Sequence, residues 1–219
     1  MSRGTSSPED SLASPPITIL AMPKPFKGHI DTIQRNAIAS WTKLQPRPEI
    51  ILFGNEEGVA ECARELGLVH IPEVARNRNG TPLLADIFAN AERRASHDLF
   101  AYVNADIILP GEFTGGVEKA LRTFPKFIAV GRRTNLEVRE PLEFSEGWEE
   151  KLKERVHSEG WLESYTSIDC FVFPRGTYEQ VPPLAIGRAW RSVVHQVRAQ
   201  ERTAGCRSDG LCCHHSSAS

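Results

Sequence analysis

"FAYVNADIIL", Phe100–Leu109, holds the decisive pattern of this chain. Phe100–Val103 is apolar and strand-favouring, Asn104 and Asp106 set an amide and a carboxylate two positions apart, and Ile107–Leu109 is apolar again. Such a run reads as a buried strand whose polar end leaves the core. In an extended chain residues i and i+2 point to the same side. The spacing therefore predicts that Asn104 and Asp106 offer an amide oxygen and a carboxylate oxygen to one cation. Hard divalent ions take oxygen ligands and often bridge to phosphate. A plainer reading stays open on these residues alone: Asp106 caps the turn before Pro110-Gly111.

Outward from this stretch, strands and helices alternate. "ITIL" (Ile17–Leu20) and "EIILF" (Glu49–Phe53) read as buried strands. Between them Ile30, Ile33, Ala37, Trp41 and Leu44 recur at helical spacing, with Asp31, Gln34, Arg35 and Lys43 off that face. Asn55 is expected to cap the next helix, with Glu56 and Glu57 in its first turn. Val59, Cys62, Ala63 and Leu66 form its apolar stripe, and Gly67 ends it. "LVHI" follows as a short strand. Thr81-Pro82 reads as a cap and first helical position, ahead of Leu83, Leu84, Ile87, Phe88 and Ala91. "LFAYVNADIIL" is the next strand, "FTGGVEKALRTF" a helix, and Phe127–Gly131 a strand. A polar region with Trp148, Trp161 and Tyr165 reads as an irregular insert. "SIDCFVFPRGTY" is a last strand, stopping at Pro174-Arg175-Gly176.

This order predicts the α/β class, with a mostly parallel central sheet and helices on both faces. Such sheets bind ligands beyond the carboxyl ends of their strands. The candidate loops are therefore residues 22–27, 54–57, 76–81, 104–106 and 132–135. No G-x-G-x-x-G follows the first strand and no G-x-x-x-x-G-K-[ST] occurs, which disfavours a nicotinamide fold and a P-loop.

What remains resembles the GT-A glycosyltransferases, the nucleotide-diphospho-sugar transferase superfamily. The resemblance rests on "TILAMPKPF", "IILFGNEEG", "RNRNGTPLLADIFANA", "FAYVNADIIL" and "SIDCFVFPRG", and covers roughly Ile17 to Trp190. It implies a Rossmann-like GT-A domain, a UDP- or GDP-type sugar donor, a hydroxyl acceptor and Mn²⁺ or Mg²⁺. Asp106 takes the place of the last acid of the family's D-x-D and so the metal role. Asn104 replaces the first acid, which lowers the charge available to a cation. The donor-side positions are Pro23, Lys24, Asn55, Glu56, Arg78, Asp86, Asn104 and Arg132, with Arg76 and Arg133 as further nearby cations. Asn55 and Glu56 lie where the family often reads the base. Asp169 resembles the acidic position that contacts acceptor or acts as base. Two other readings stand beside this one. One is a sugar-phosphate nucleotidylyltransferase, disfavoured because the first strand lacks a Gly-rich, Arg-bearing loop. The other is a non-catalytic nucleotide-binding or scaffold protein.

Composition sets the outer limits. The 219 residues, 40% of them hydrophobic, suffice for one domain with a sizeable core. A net charge of −2 offers no basic surplus for nucleic acid or an anionic membrane. No apolar run approaches a membrane span, and residues 1–16 read as a disordered leader without a signal-peptide core. The expectation is a soluble, cytoplasmic protein. Cys62 and Cys170 sit in apolar patterns and read as buried hydrophobes. Cys206, Cys212, Cys213, His214 and His215 crowd the tail in a spacing that fits no zinc finger or ribbon. After Trp190 the amphipathic pattern fails, so residues 191–219 read as frameshifted or disordered. A one-nucleotide shift after the Trp190 codon permits a continuation with another helix and strand. On that reading the catalytic domain lacks its C-terminal end and the transferase could be inactive in this form. The DNA sequence decides it.

Overall fold

A computed structural model describes residues 14–124, 126–164, 168–177 and 211–212 of the chain. Its elements run β1 (Thr18–Ala21), α1 (His29–Trp41), β2 (Glu49–Phe53), α2 (Val59–Leu66), β3 (Val69–Ile71), α3 (Leu84–Arg94) and β4 (Leu99–Val103). They continue with α4 (Glu112–Thr123), β5 (Ala129–Arg132), β6 (Thr134–Asn135), α5 (Trp148–Glu159), β7 (Trp161–Leu162), β8 (Ile168–Pro174) and β9 (Leu211–Cys212). Among the described residues the main sheet has the order β3-β2-β1-β4-β8-β5-β9, and β6 and β7 form a separate ribbon. β1 pairs in parallel with β2 and β4, and β3 in parallel with β2. β8 runs antiparallel to both neighbours, β4 and β5.

The sheet is buried on both faces, and the alternation of its residues sorts them. Ile19, Ile50, Leu52, Ala101, Val103, Cys170 and Val172 face α1, α2 and α4 through Ala37, Trp41, Cys62, Phe113 and Val117. Leu20, Ile51, Phe53, Tyr102, Phe171 and Phe173 face α3 through Leu84, Ile87 and Phe88. On that second face Tyr102 stacks on Phe171 with ring centroids 5.4 Å apart. Each fully buried aliphatic or aromatic side chain contributes about 1.5–3 kcal/mol. The predicted fold is the one observed, with Cys62 and Cys170 both buried.

Local departures have identifiable causes. α2 starts at Val59 with Gly58 as its N-cap, so Asn55 does not cap it. Gly58 sits at φ +87, and a Cβ there would lie 2.6 Å from Phe26 Cβ. The Phe26 N–H donates to the Glu57 carbonyl at 2.8 Å, which ties the loop after β1 to the loop after β2. α3 begins at Leu84, because Thr81 and Pro82 are held in a short bridge with the 75–77 segment instead of a cap. The polar insert contains α5, a helix that sequence periodicity hid because Leu152 is its only buried residue. Gln34 is not on a solvated face: it is 2% exposed, and both its amide atoms bind the Lys24 backbone. The expectations for residues 1–13, Tyr165 and Trp190 lie outside the described residues. So do those for the tail, apart from the β9 backbone, which pairs in parallel with Gly131 and Arg132.

Candidate active site at the carboxyl ends of the strands

β4 ends at Val103, so Asn104–Asp106 form a turn and not a strand continuation. The same-side argument for Asn104 and Asp106 therefore fails. The Asn104 side-chain amide instead donates to Asp169 Oδ1 at 2.7 Å, and its backbone N–H donates to the Asp169 carbonyl at 2.9 Å. The following apolar residues are buried without strand pairing, and α1 satisfies their backbone. Trp41 Nε1 donates to the Ile107 carbonyl at 2.7 Å, and the Leu109 N–H donates to Ser40 Oγ at 3.1 Å. These bonds meet the demand of buried backbone polar groups and fix the exit of the Asp106 turn.

Asp106 Oδ1 is buried with no hydrogen-bond partner among the described residues. Burial pushes the Asp106 carboxyl up from its ordinary pKa, and the nearby Asp169 charge pushes the same way, while Lys24 and Arg133 oppose them. Burial also raises Asp169, against the pull of Arg133 and Asn104. Arg133 donates to Asp169 Oδ2 at 2.9 Å and lies 3.8 Å from Glu163 Oε2. The site is thus two coupled carboxylates, one committed to neighbours and one with a stranded oxygen, flanked by two cations.

Arg132, expected on the donor side, is bound through its side chain to the segment that carries Glu163. A register shift between Gly131 and Arg132 against β8 changes which side each residue presents. Its Nε donates to the Glu163 carbonyl at 2.7 Å, and Arg133 is the residue that reaches the acids. Glu163 carried no sequence signal, since it follows an exposed Trp-Leu pair in a ribbon too short to show a period.

The loops after β1 and β2 lie on the same edge, because β1 adjoins β4 and β2 adjoins β1 in the parallel part of the sheet. Pro23 is buried and Lys24 is exposed. Glu56 folds over Gly54, with Oε1 accepting from Arg76 at 2.6 Å and Oε2 buried and unpartnered among the described residues. Gly54 has φ +95, and a Cβ would strike Glu56 and Met22. Asn55, Arg76, Asp86, Asn90 and Arg93 line a groove of about 600 Å³ between α3 and the segment after β3. Asp86 Oδ2 accepts from the Ala75 N–H at 2.9 Å and from Asn90, so its carboxylate braces that segment. Arg78 is exposed in the 77–80 turn and joins neither cluster.

The donor set can be compared with the implied cation. Among the described residues no three His, Cys, Asp or Glu converge as a metal cage. Mg²⁺ and Mn²⁺ bound through substrate phosphates need only one or two carboxylates and keep waters. The stranded Asp106 Oδ1 fits that demand.

A mostly parallel sheet in the order β3-β2-β1-β4-β8-β5-β9, with helices on both faces, is a GT-A-like, Rossmann-like fold. Two solved structures illustrate the likeness. One, from Desulfovibrio desulfuricans G20, is a proposed nucleotide-diphospho-sugar transferase. It superposes with a TM-score of 0.50 at 11% identity, over 91% of this chain and 80% of its own. The other is the mannosyltransferase PcManGT from Pyrobaculum calidifontis, in complex with GDP-Man and Mn²⁺. Its TM-score is 0.51 at 14% identity, over 94% of this chain and 58% of its own. At these identities the likeness is one of fold. No family model matches the chain, and no curated protein matches it in sequence. No helix among the described residues is long and apolar enough to cross a membrane.

Proposed function

We propose that the protein is a glycosyltransferase that moves a sugar from a nucleotide-diphospho-sugar of the UDP or GDP type to a hydroxyl acceptor. The observation that carries this reading is the buried, unpartnered Asp106 carboxylate oxygen at the carboxyl end of β4, beside Asp169, Arg133 and Lys24. A bound divalent cation there supplies positive charge to the departing diphosphate. Asp106 would hold it together with the donor. Lys24, on a loop clamped by Gln34, adds charge on the same side. Glu56 and Asn55 address the nucleoside from the end of β2.

Asp169 takes the acceptor proton. Asn104 and Arg133 fix its carboxylate, and a carboxylate retains further lone pairs for a hydroxyl. The acceptor oxygen bonds to the sugar carbon as that carbon's bond to the phosphate oxygen breaks. The electron pair leaves with the nucleoside diphosphate and the hydroxyl proton goes to Asp169.

Calorimetric titration of UDP and GDP with and without Mn²⁺, on wild type and Asp106→Ala, tests the reading. The expected result is Mn²⁺-enhanced binding of one nucleotide that Asp106→Ala removes. Equal binding by both proteins takes Asp106 out of the site, and failure of both nucleotides overturns the transferase reading.

A further inference from the structure

The β6–β7 ribbon carries an exposed indole two residues before Glu163, which lies beside Arg133. Trp161 and Leu162 are 52% and 55% exposed, whereas their cross-strand partners Asn135 and Thr134 are buried. Alternation in an extended chain puts Trp161 and Glu163 on one face, and the pair Asn135↔Trp161 adds Asn135 to it. Hydrogen bonds trace that face onward. Asn135 Nδ2 donates to Glu163 Oε2 at 2.7 Å, Arg133 lies 3.8 Å from the same oxygen, and Arg133 also donates to Asp169 at 2.9 Å. Trp161, Glu163, Arg133 and Asp169 therefore form one row, from an apolar plate to the half-buried Asp169 carboxylate. Leu162 points to the other face.

The ribbon backbone is closely packed. A Cβ on Gly160 would lie 2.5 Å from the Val156 carbonyl oxygen and 3.0 Å from the Thr134 methyl, so only glycine lets the ribbon sit this close to α5. Glu163 N–H donates to the Arg133 carbonyl at 2.9 Å, and Arg132 holds the Glu163 carbonyl. A lone exposed apolar residue is ordinary. Here it stands at the head of a polar row that runs to the site. A ligand that spans this row needs a flat apolar face for the indole and hydroxyls for Arg133 and Asp169. A pyranose ring has both. An alkyl chain would leave the polar row unused, and a second copy would need a buried area well above ~1,000 Å².

We infer that Trp161 is the stacking platform of an acceptor subsite and that the acceptor is a carbohydrate hydroxyl. This rests on the transferase reading above.

The test follows the Trp161 indole N–H resonance of the full chain, assigned by its loss in Trp161→Phe. The protein, with UDP or GDP and Mn²⁺, is titrated with methyl glucoside, galactoside and mannoside. A saturable shift with at least one pyranoside is expected, with the Trp41 resonance still. Trp161→Ala should weaken that pyranoside roughly 3- to 10-fold, the range of an aromatic stacking contact, and leave nucleotide affinity unchanged. If nucleotide binds and no pyranoside moves the resonance, the subsite is overturned while the transferase reading stands. A shift with decanol alone, marking a lipid surface, overturns it too, as does a shift on protein dilution alone, marking a second copy. A pyranoside shift in a protein that binds neither nucleotide supports the sugar platform and removes the transferase reading.

Discussion

Asn104 donates its side-chain amide to Asp169 Oδ1 at 2.7 Å, across 65 positions of sequence. A carboxylate at 104 could not donate, and it would face Asp169 as a like charge. The amide therefore lets Asp106 and Asp169 share a small buried space with a neutral donor against one of them. Asn104→Asp should lower stability by about 1–3 kcal/mol in urea unfolding at neutral pH. The same variant should bind Mn²⁺ more tightly in calorimetry, because it adds a third acid. Unchanged Mn²⁺ affinity would show that residue 104 does not face the cation.

Asp106 makes stability depend on pH in a defined direction. Its folded pKa is raised, by burial first and by Asp169 second. The stability it contributes is full below the ordinary carboxylate range and is lost as pH rises through the raised folded pKa. Asp106→Asn removes that charge. Its melting temperature should exceed wild type at pH 7, by about 2–4 °C for each kcal/mol gained. The gap should close below about pH 4. Thermal melts across pH check this, and a lower melting temperature at pH 7 contradicts it.

The Trp41 indole is the donor that satisfies the Ile107 carbonyl. Trp41→Phe keeps much of the apolar contact and strands that carbonyl in the core. The cost should be about 1–3 kcal/mol. Amide exchange should quicken selectively at residues 107–109, next to the Asp106 turn, and uniform quickening would count against the pinning role.

Adjacent arginines should behave differently. Arg133→Met strips Asp169 Oδ2 of its partner, while Arg132→Met releases the Glu163 carbonyl. The first should weaken UDP or GDP binding about tenfold or more, as loss of a charge-assisted bond does. The second should leave nucleotide affinity near wild type. Equal losses by calorimetry would place both guanidinium groups at the site.

Gly160→Ala should destabilise the protein by about 1–3 kcal/mol, because the added methyl meets the Val156 carbonyl and Thr134. Urea unfolding measures the cost, and a shift in the Trp161 indole resonance would report the displaced ribbon.

The unbroken apolar runs Ile19–Ala21 and Leu99–Val103 already required a sheet buried on both faces. The helical stripe of Ala37 and Trp41, and that of Val59, Cys62 and Ala63, required helices to cover it. Periodicity is a local property, so the α/β class and the candidate loops at the strand ends were legible in the chain itself. The acid at 106 was legible too, as the polar end of an apolar run. What lay beyond reach depended on partners distant in sequence. That Asn104 serves Asp169, that Arg133 and not Arg132 meets the acids, and that Trp161 shares their face follow from antiparallel β8, a register shift and a two-residue ribbon. None of these leaves a periodic trace, because each is a pairing between segments and not a repeat within one. The sequence by itself determined the layers and the sheet edge that carries the candidate site. Only the tertiary structure decided which side chains meet there, because hydrogen bonds and burial are set by neighbours in space.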